Sequence, residues 1–246
     1  MTQEMPDDDV AIPDYLRQLW TGEDVARPGP KRGLDLGSIA AAGVVIADAK
    51  GLAAVSMRNV AAELGLTPMA LYRYVKSKEE LVTVIVDDAF GPPDFSSDPT
   101  ASWRDRLEVW AQASRTKLMQ HPWILEVAVD EPPLLPNQIA WMELGLDAFA
   151  ETGLEQQEML SSMLLVDVYV RGQTQLSVGF GSDNSAGELY GRRLIALIDQ
   201  ERFPRITAAL VSGALEDDSD FSVDEFRFGL DTVLDGIAAR IAARSG

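Results

Sequence analysis

Between residues 56 and 78 four cations, Arg58, Arg73, Lys76 and Lys78, stand against a single acid, Glu63. Such a cluster suits a polyanion, and it is out of character for a 246-residue chain with a net charge of −18 and a pI near 4.3. Residues 31–82 hold seven Lys/Arg against five Asp/Glu, whereas residues 83–246 hold 12 against 27. The molecule as a whole repels nucleic acid, so any nucleic-acid binding must come from this local patch. On a helical wheel of residues 68–75, Leu71 and Val75 point together toward a core. Met69 and Arg73 point the other way with Ala70 beside them, and Tyr72 sits on the flank. That layout places small and polar groups toward base edges, with a hydroxyl and a cation at the sides.

Other chemistry is poorly supplied. There is no cysteine, which excludes disulfides, thiolate zinc sites and cysteine nucleophiles. The single histidine, His121, precedes Pro122 at a helix end and reads as a structural cap, so no metal site, cofactor or catalytic residue is expected. GFG in VGFGSDN lacks the third glycine and the preceding strand of a dinucleotide loop. EDDSD (216–220) matches a calcium loop in acidity alone and reads as solvated. No apolar run approaches the roughly 20 residues of a membrane span. The start, MTQEMPDDD, is acidic where a signal peptide is basic, so a cytoplasmic protein is expected.

The elements that must position the patch are helices. Asp35 is a good N-cap for a helix running to Gly51, with Leu36, Ile39, Gly43 and Ile46 on its inner face. Ser56 caps a second helix with Val60, Ala61 and Leu64 inward, ended by Gly65. Thr67 and Pro68 open a third as N-cap and first position, and Ser77-Lys78-Glu79-Glu80 is a capping box for a fourth. Two short helices across a glycine turn match a helix-turn-helix; pattern alone also allows a generic helical hairpin with a solvated basic face.

Beyond the break GPPDFSSDPT (91–100), helices are expected at 103–120, at 139–152 before Gly153, and near 155–178. A loop follows at VGFGSDNSAG, then helical ELYGRRLIALIDQ and RFPRITAALVSG, and a last helix from 223 to 244. No alternating strand pattern, repeat or heptad run is present. Residues 1–33 read as a flexible arm with a short helical piece at DYLRQLW; its RPGPKRG carries three cations able to reach a minor groove.

SMRNVAAELGLTPMALYRYVKSKEEL resembles the DNA-binding signature of the tetracycline-repressor (TetR) family, through Val60-Ala61, Leu64-Gly65, Leu71-Tyr72, Tyr74-Val75 and Ser77 to Leu81. SWRDRLEVWAQASRTKLMQHPW and FRFGLDTVLDGIAARI are similar, more loosely, to the family's C-terminal domain. The resemblance implies an all-α fold. A helix-turn-helix three-helix domain (34–82) would join a larger helical effector-binding and dimerisation domain (83–246). It implies a homodimer on double-stranded, palindromic operator DNA, with the helices near 155–178 and 223–243 forming a four-helix interface. It implies a small-molecule effector and most simply a repressor.

Carried over by residue, the resemblance gives Arg58 a base or neighbouring phosphate, Met69 and Ala70 bases, and Tyr72 and Lys78 phosphate. Thr67, Pro68, Arg73 and Tyr74 complete the expected surface. Met57 replaces a common phosphate-binding Thr or Ser, and Arg73 stands at a position often aromatic or polar, pointing toward guanine. If the larger domain packs as the family's does, Trp110, Ser114, Met142, Leu146 and Met163 face an effector pocket. Asp167 is either its polar anchor or a dimer-interface or surface residue. The competing class is a small-molecule-binding or enzymatic helical bundle without a DNA role, which lacks a paired acid and base or a nucleophile system.

Overall fold

The computed structural model describes residues 12–22, 34–95, 98, 100–129, 132–180, 185–213 and 221–244. Among these residues there are helices and turns and no strand. RPGPKRG and EDDSD lie outside them, as do residues 181–184 of the loop expected at 178–187.

The chain forms two compact units: Met1–Ser96 with Trp123–Leu144, and Ser97–Pro122 with Gly145–Gly246. In the first unit, α1 (Asp14–Thr21) precedes α2 (Leu36–Lys50), and a 3-10 turn (Leu52–Ala54) leads to α3 (Met57–Glu63). Next come α4 (Pro68–Leu71) and α5 (Lys78–Phe90). The capping residues act as their types require: Asp35 accepts from Ser38 N at 2.7 Å, Ser56 from Asn59 N at 3.2 Å and Ser77 from Glu80 N at 3.2 Å. Glu80 reaches back to accept from Lys76 N at 2.6 Å, one residue ahead of the usual capping-box donor.

Helices α2 and α5 form the core of this unit. Leu36, Ile39, Gly43 and Ile46 are buried as their spacing predicts, beside Leu81, Val84 and Ile85. The two helices meet closely enough that a Cβ on Gly43 would lie 2.1 Å from Ile85 Cδ1, so only glycine fits here without repacking. Residues 123–144 return to the same unit, and indole N–H groups tie them in. Trp123 Nε1 donates to Asp48 Oδ1 (2.7 Å), Trp141 Nε1 to Gly91 O (3.0 Å) and Trp20 Nε1 to Leu134 O (2.8 Å).

The second unit contains α6 (Trp103–Gln120), α8 (Gln156–Phe180), α9 (Ser185–Leu197), α10 (Pro204–Val211) and α11 (Phe221–Arg244). Helix α8 packs on α6 and on α11, and α9 packs on α10. Arg104 of α6 bonds Asp231 (3.1 Å) and Asp235 (2.7 Å) of α11, and Tyr169 Oη donates to the Phe226 carbonyl at 2.8 Å. His121 stands at the C-cap of α6, with its N–H on Lys117 O.

Three expectations need correction. The helix expected at 139–152 is α7, Pro136–Asp147. It starts earlier because Pro136 suits a first turn and the Asp87 carboxylate accepts from Asn137 N and Gln138 N. It stops earlier because Phe149 and Ala150 turn their N–H groups to carbonyls three residues back. The helix expected over 68–75 is regular only to Leu71, after which residues 72–74 continue as a tight turn. The loop expected at 178–187 is largely helix, since α8 runs to Phe180 and α9 begins at Ser185.

Candidate nucleic-acid interface

The turn between α3 and α4 sets the geometry of the patch. Gly65 adopts φ +68°, a left-handed conformation natural to glycine. Gly65 N donates to Ala62 O (3.1 Å) and Leu66 N to Ala61 O (2.8 Å), the paired bonds of a Schellman stop. Thr67 is extended and its side chain makes no capping bond; Pro68 then starts α4 in its place. Met57, where a phosphate-binding hydroxyl was in question, is buried in the core and takes no surface role.

Leu71 and Val75 are fully buried and lock α4 to the unit. Thr67, Pro68, Met69, Tyr72 and Arg73 are exposed, Met69 at 73%, while Ala70 and Tyr74 are half-buried. An exposed methionine this large, on a helix with a closed inner face, has no packing role in the free chain. Arg58 is exposed on α3, and Lys78 is exposed at the first position of α5. The structure thus brings the expected residues onto the first unit, with the apolar pair buried and the cations and Tyr72 exposed. Lys76 belongs beside them and the spacing argument leaves it out. It is exposed and pairs through Nζ with Asp14 Oδ2 at 2.7 Å. The signal for it was the charge count of the window, not the helical wheel.

The residues expected around an effector distribute differently. Trp110 and Ser114 of α6 and Met163 of α8 are buried in the second unit. Leu146 and Asp167 are half-buried there, and Met142 is half-buried in the first unit. Ser114 Oγ is buried with no hydrogen-bond partner, which is costly for a hydroxyl and marks a place where an acceptor is wanting. Burial pushes the Asp167 carboxyl above its ordinary value, against a downward pull from Arg171 one turn along. Helices α7 and α8 meet so closely that a Cβ on Gly145 would lie 2.2 Å from Met163 Sδ. Among the described residues, no three His, Asp or Glu side chains converge on a metal position, and no helix is long and apolar enough to cross a membrane.

Residues 39–85 match the family described as bacterial regulatory proteins, tetR family, and residues 95–241 match the tetracyclin repressor-like C-terminal domain. The chain belongs to the tetR family. It is a helix-turn-helix transcriptional regulator. Among its relatives, the HTH-type transcriptional repressor DrrR1 of Streptomyces coeruleorubidus is 36% identical, across 94% of this chain and 87% of its own length. An HTH-type transcriptional regulator of Saccharopolyspora erythraea is 28% identical across 61% of this chain and 63% of its own. Among solved structures, the TetR family protein ActR of Streptomyces coelicolor in complex with (S)-DNPA has a TM-score of 0.72 and 24% identity. That likeness covers 85% of this chain and 98% of that one. ActR in complex with actinorhodin has the same TM-score and coverage close to that, at 22% identity. At these identities the likeness to ActR shows the fold, and the regulatory class rests on the family matches and on DrrR1.

Proposed function

We propose that this tetR-family chain is a homodimeric repressor that releases a palindromic operator when a small molecule occupies its second unit. The observation that carries the reading is the exposed set Met69, Tyr72 and Arg73, fixed in orientation by the fully buried Leu71 and Val75. Tyr72 and Lys78 hold phosphates, with Arg58 at a base or its neighbouring phosphate. Met69, Ala70 and Arg73 meet base edges, with Arg73 suited to the paired acceptors of guanine. Thr67, Pro68 and Tyr74 shape the approach.

Dimerisation falls to α8 and α11. Leu160, Leu164, Val168 and Leu176 recur at helical spacing on α8 and are exposed, Leu164 at 62%. Phe228 is 72% exposed on α11, followed along one face by Thr232, Gly236, Ala239 and Ala243. A large apolar stripe beside a run of small residues suits close helix packing against a second copy. Two readers related by a two-fold axis imply a palindromic operator.

The effector acts by population shift: it must bind the DNA-incompetent state more tightly than the competent one. Ser114 and Asp167 supply polar contacts and Trp110, Leu146 and Met163 apolar ones, while Met142, in the first unit, falls outside this set. ActR, with its small-molecule complexes, is the relative whose ligand-bound state this pictures. An enzymatic bundle without a DNA role has no supporting observation, since the named relatives are regulators.

Arg73→Ala provides the test, measured by base-by-base substitution of the operator. The variant should lose preference at one base pair per half-site, at a cost of about 1–3 kcal/mol, with thermal stability unchanged. A uniform loss at every position would reassign Arg73 to phosphate.

A further inference from the structure

Helix α1 packs against α2 and is held there at both ends. At its start the Asp14 carboxylate takes the Lys76 ammonium at 2.7 Å. Near its end Trp20 Nε1 donates to Leu134 O at 2.8 Å, and Gly22, at φ +63°, turns its N–H back to Gln18 O. One face of α1, with Tyr15, Leu16, Gln18 and Leu19, is half-buried. The backbone of Lys76 is equally fixed, because its N–H is bonded to Glu80 Oε2 at the start of α5. Lys76 therefore stands at the corner between the tight turn after α4 and Lys78, within the net-positive window of residues 56–78.

We propose that Lys76 is a DNA-phosphate contact that Asp14 occupies in the free protein, so that α1 competes with DNA for the reading surface. The proposal rests on the DNA-binding reading given above. Asp14 is the kind of group a phosphate displaces: a single oxyanion, exposed to water, bonded to the ammonium through one oxygen. Its carboxyl lies below the ordinary range because of the hydrogen bond from Lys76, and Asp14 in turn holds Lys76 above its ordinary value, so both are charged at neutral pH. The exchange costs little. An exposed ion pair is weak, and a carboxylate in the first turn of a helix keeps a favourable position near the helix N-terminus after its cation leaves. A duplex offers many phosphates and releases condensed counterions on contact, so it wins the cation at low salt. The surrounding sequence acts in the same direction, since residues 1–30 carry seven acids against two cations. The inferred role is thus a built-in brake that lowers affinity for any duplex and leaves base preference intact.

A double-mutant cycle tests it, with full-length wild type, Asp14→Asn, Lys76→Gln and the double variant. Each is titrated against a duplex that the wild type has enriched from a random-sequence pool, over a range of salt. Asp14→Asn should tighten binding about two- to fivefold for each subunit that contacts the duplex, the range one exposed pair supports. Lys76→Gln should weaken binding and make the salt slope shallower by about one per subunit, hence about two for the dimer. Asp14→Asn should have no effect on the Lys76→Gln background. Melting temperatures of the four proteins keep folding out of the comparison. Unchanged affinity in Asp14→Asn would overturn the proposal. So would an equal tightening on both backgrounds, which is a general effect of removing one negative charge. Both leave DNA binding itself standing. A wild type that enriches no sequence overturns the DNA-binding reading and this inference with it.

Discussion

Gly43 on α2 and Gly236 on α11 occupy comparable places on long helices and differ in what surrounds them. A methyl group on Gly43 would run into Ile85, whereas one on Gly236 would meet nothing within 4 Å. Gly172 and Gly179 on α8 resemble Gly236 in this respect. The first unit has already brought α2 and α5 together, and its reading surface exposes Arg58, Arg73 and Lys78 beside Met69 and Tyr72. The second unit leaves Leu164, Val168, Leu176 and Phe228 in water. The first unit closes its core within a single chain; the second leaves an apolar stripe on α8 and α11, the face proposed above to meet a second copy.

The sharpest way to break that contrast is to charge the unfinished face. Leu164→Asp combined with Phe228→Asp should convert the dimer to monomer in sedimentation experiments. Operator affinity should then drop by about 10² or more, because the second half-site loses its tethered reader. A charged but still dimeric protein would place the interface elsewhere.

A comparable effect is expected inside the finished unit, at Asp87. This residue is 2% exposed and ties α5 to the first turn of α7, and burial pushes its carboxyl up to about 6 from 3.8. The backbone N–H groups of Gln138 and Asn137 pull the other way and do not overcome the burial. With the folded value raised, its contribution to stability is fully present below about pH 3.8 and is lost as pH rises through about 6. Over that window the loss amounts to about 3 kcal/mol. Denaturant midpoints should show wild type losing stability relative to Asp87→Asn as pH goes from 4 to 7. A pH-independent difference would mean that the carboxylate is solvated.

The smallest effects test the glycines directly. Gly43→Ala should destabilise the chain by about 1–3 kcal/mol, since Ile85 has no room to retreat. Gly236→Ala should leave chain stability within about 0.5 kcal/mol and act on the dimer dissociation constant instead. The reverse pattern would mean that α11 is not a packing face.

What the sequence disclosed follows from the range of the interactions. Asp35, Ser56 and Ser77 were legible because a capping side chain reaches only three residues ahead. The inward Leu71 and outward Met69 followed from helical period; Val75 and Arg73 face as that period predicts although they lie beyond the end of α4, in and after the tight turn. The start of α7 was not legible, since it is capped by a carboxylate fifty residues earlier in the chain. The docking of α1 was hidden for the same reason: Asp14 meets Lys76 across 62 residues. The helical piece itself, DYLRQLW, was visible, and its partner was not. In the second unit, period identifies Trp110, Ser114 and Met163 as inward-facing, but it does not distinguish a residue bordering a ligand from one filling a core.

The central claim is that a net-positive reader on an acidic chain works in symmetric pairs. It is tested most directly by selecting duplexes from a random-sequence pool with the wild-type protein and reading the enriched sites. The account predicts a palindrome whose half-sites are centred about one or more helical turns apart, at about 10 base pairs per turn. It further predicts that the Arg73→Ala protein loses one position from each half-site. Enrichment of a single asymmetric site, or of no site at all, would contradict it.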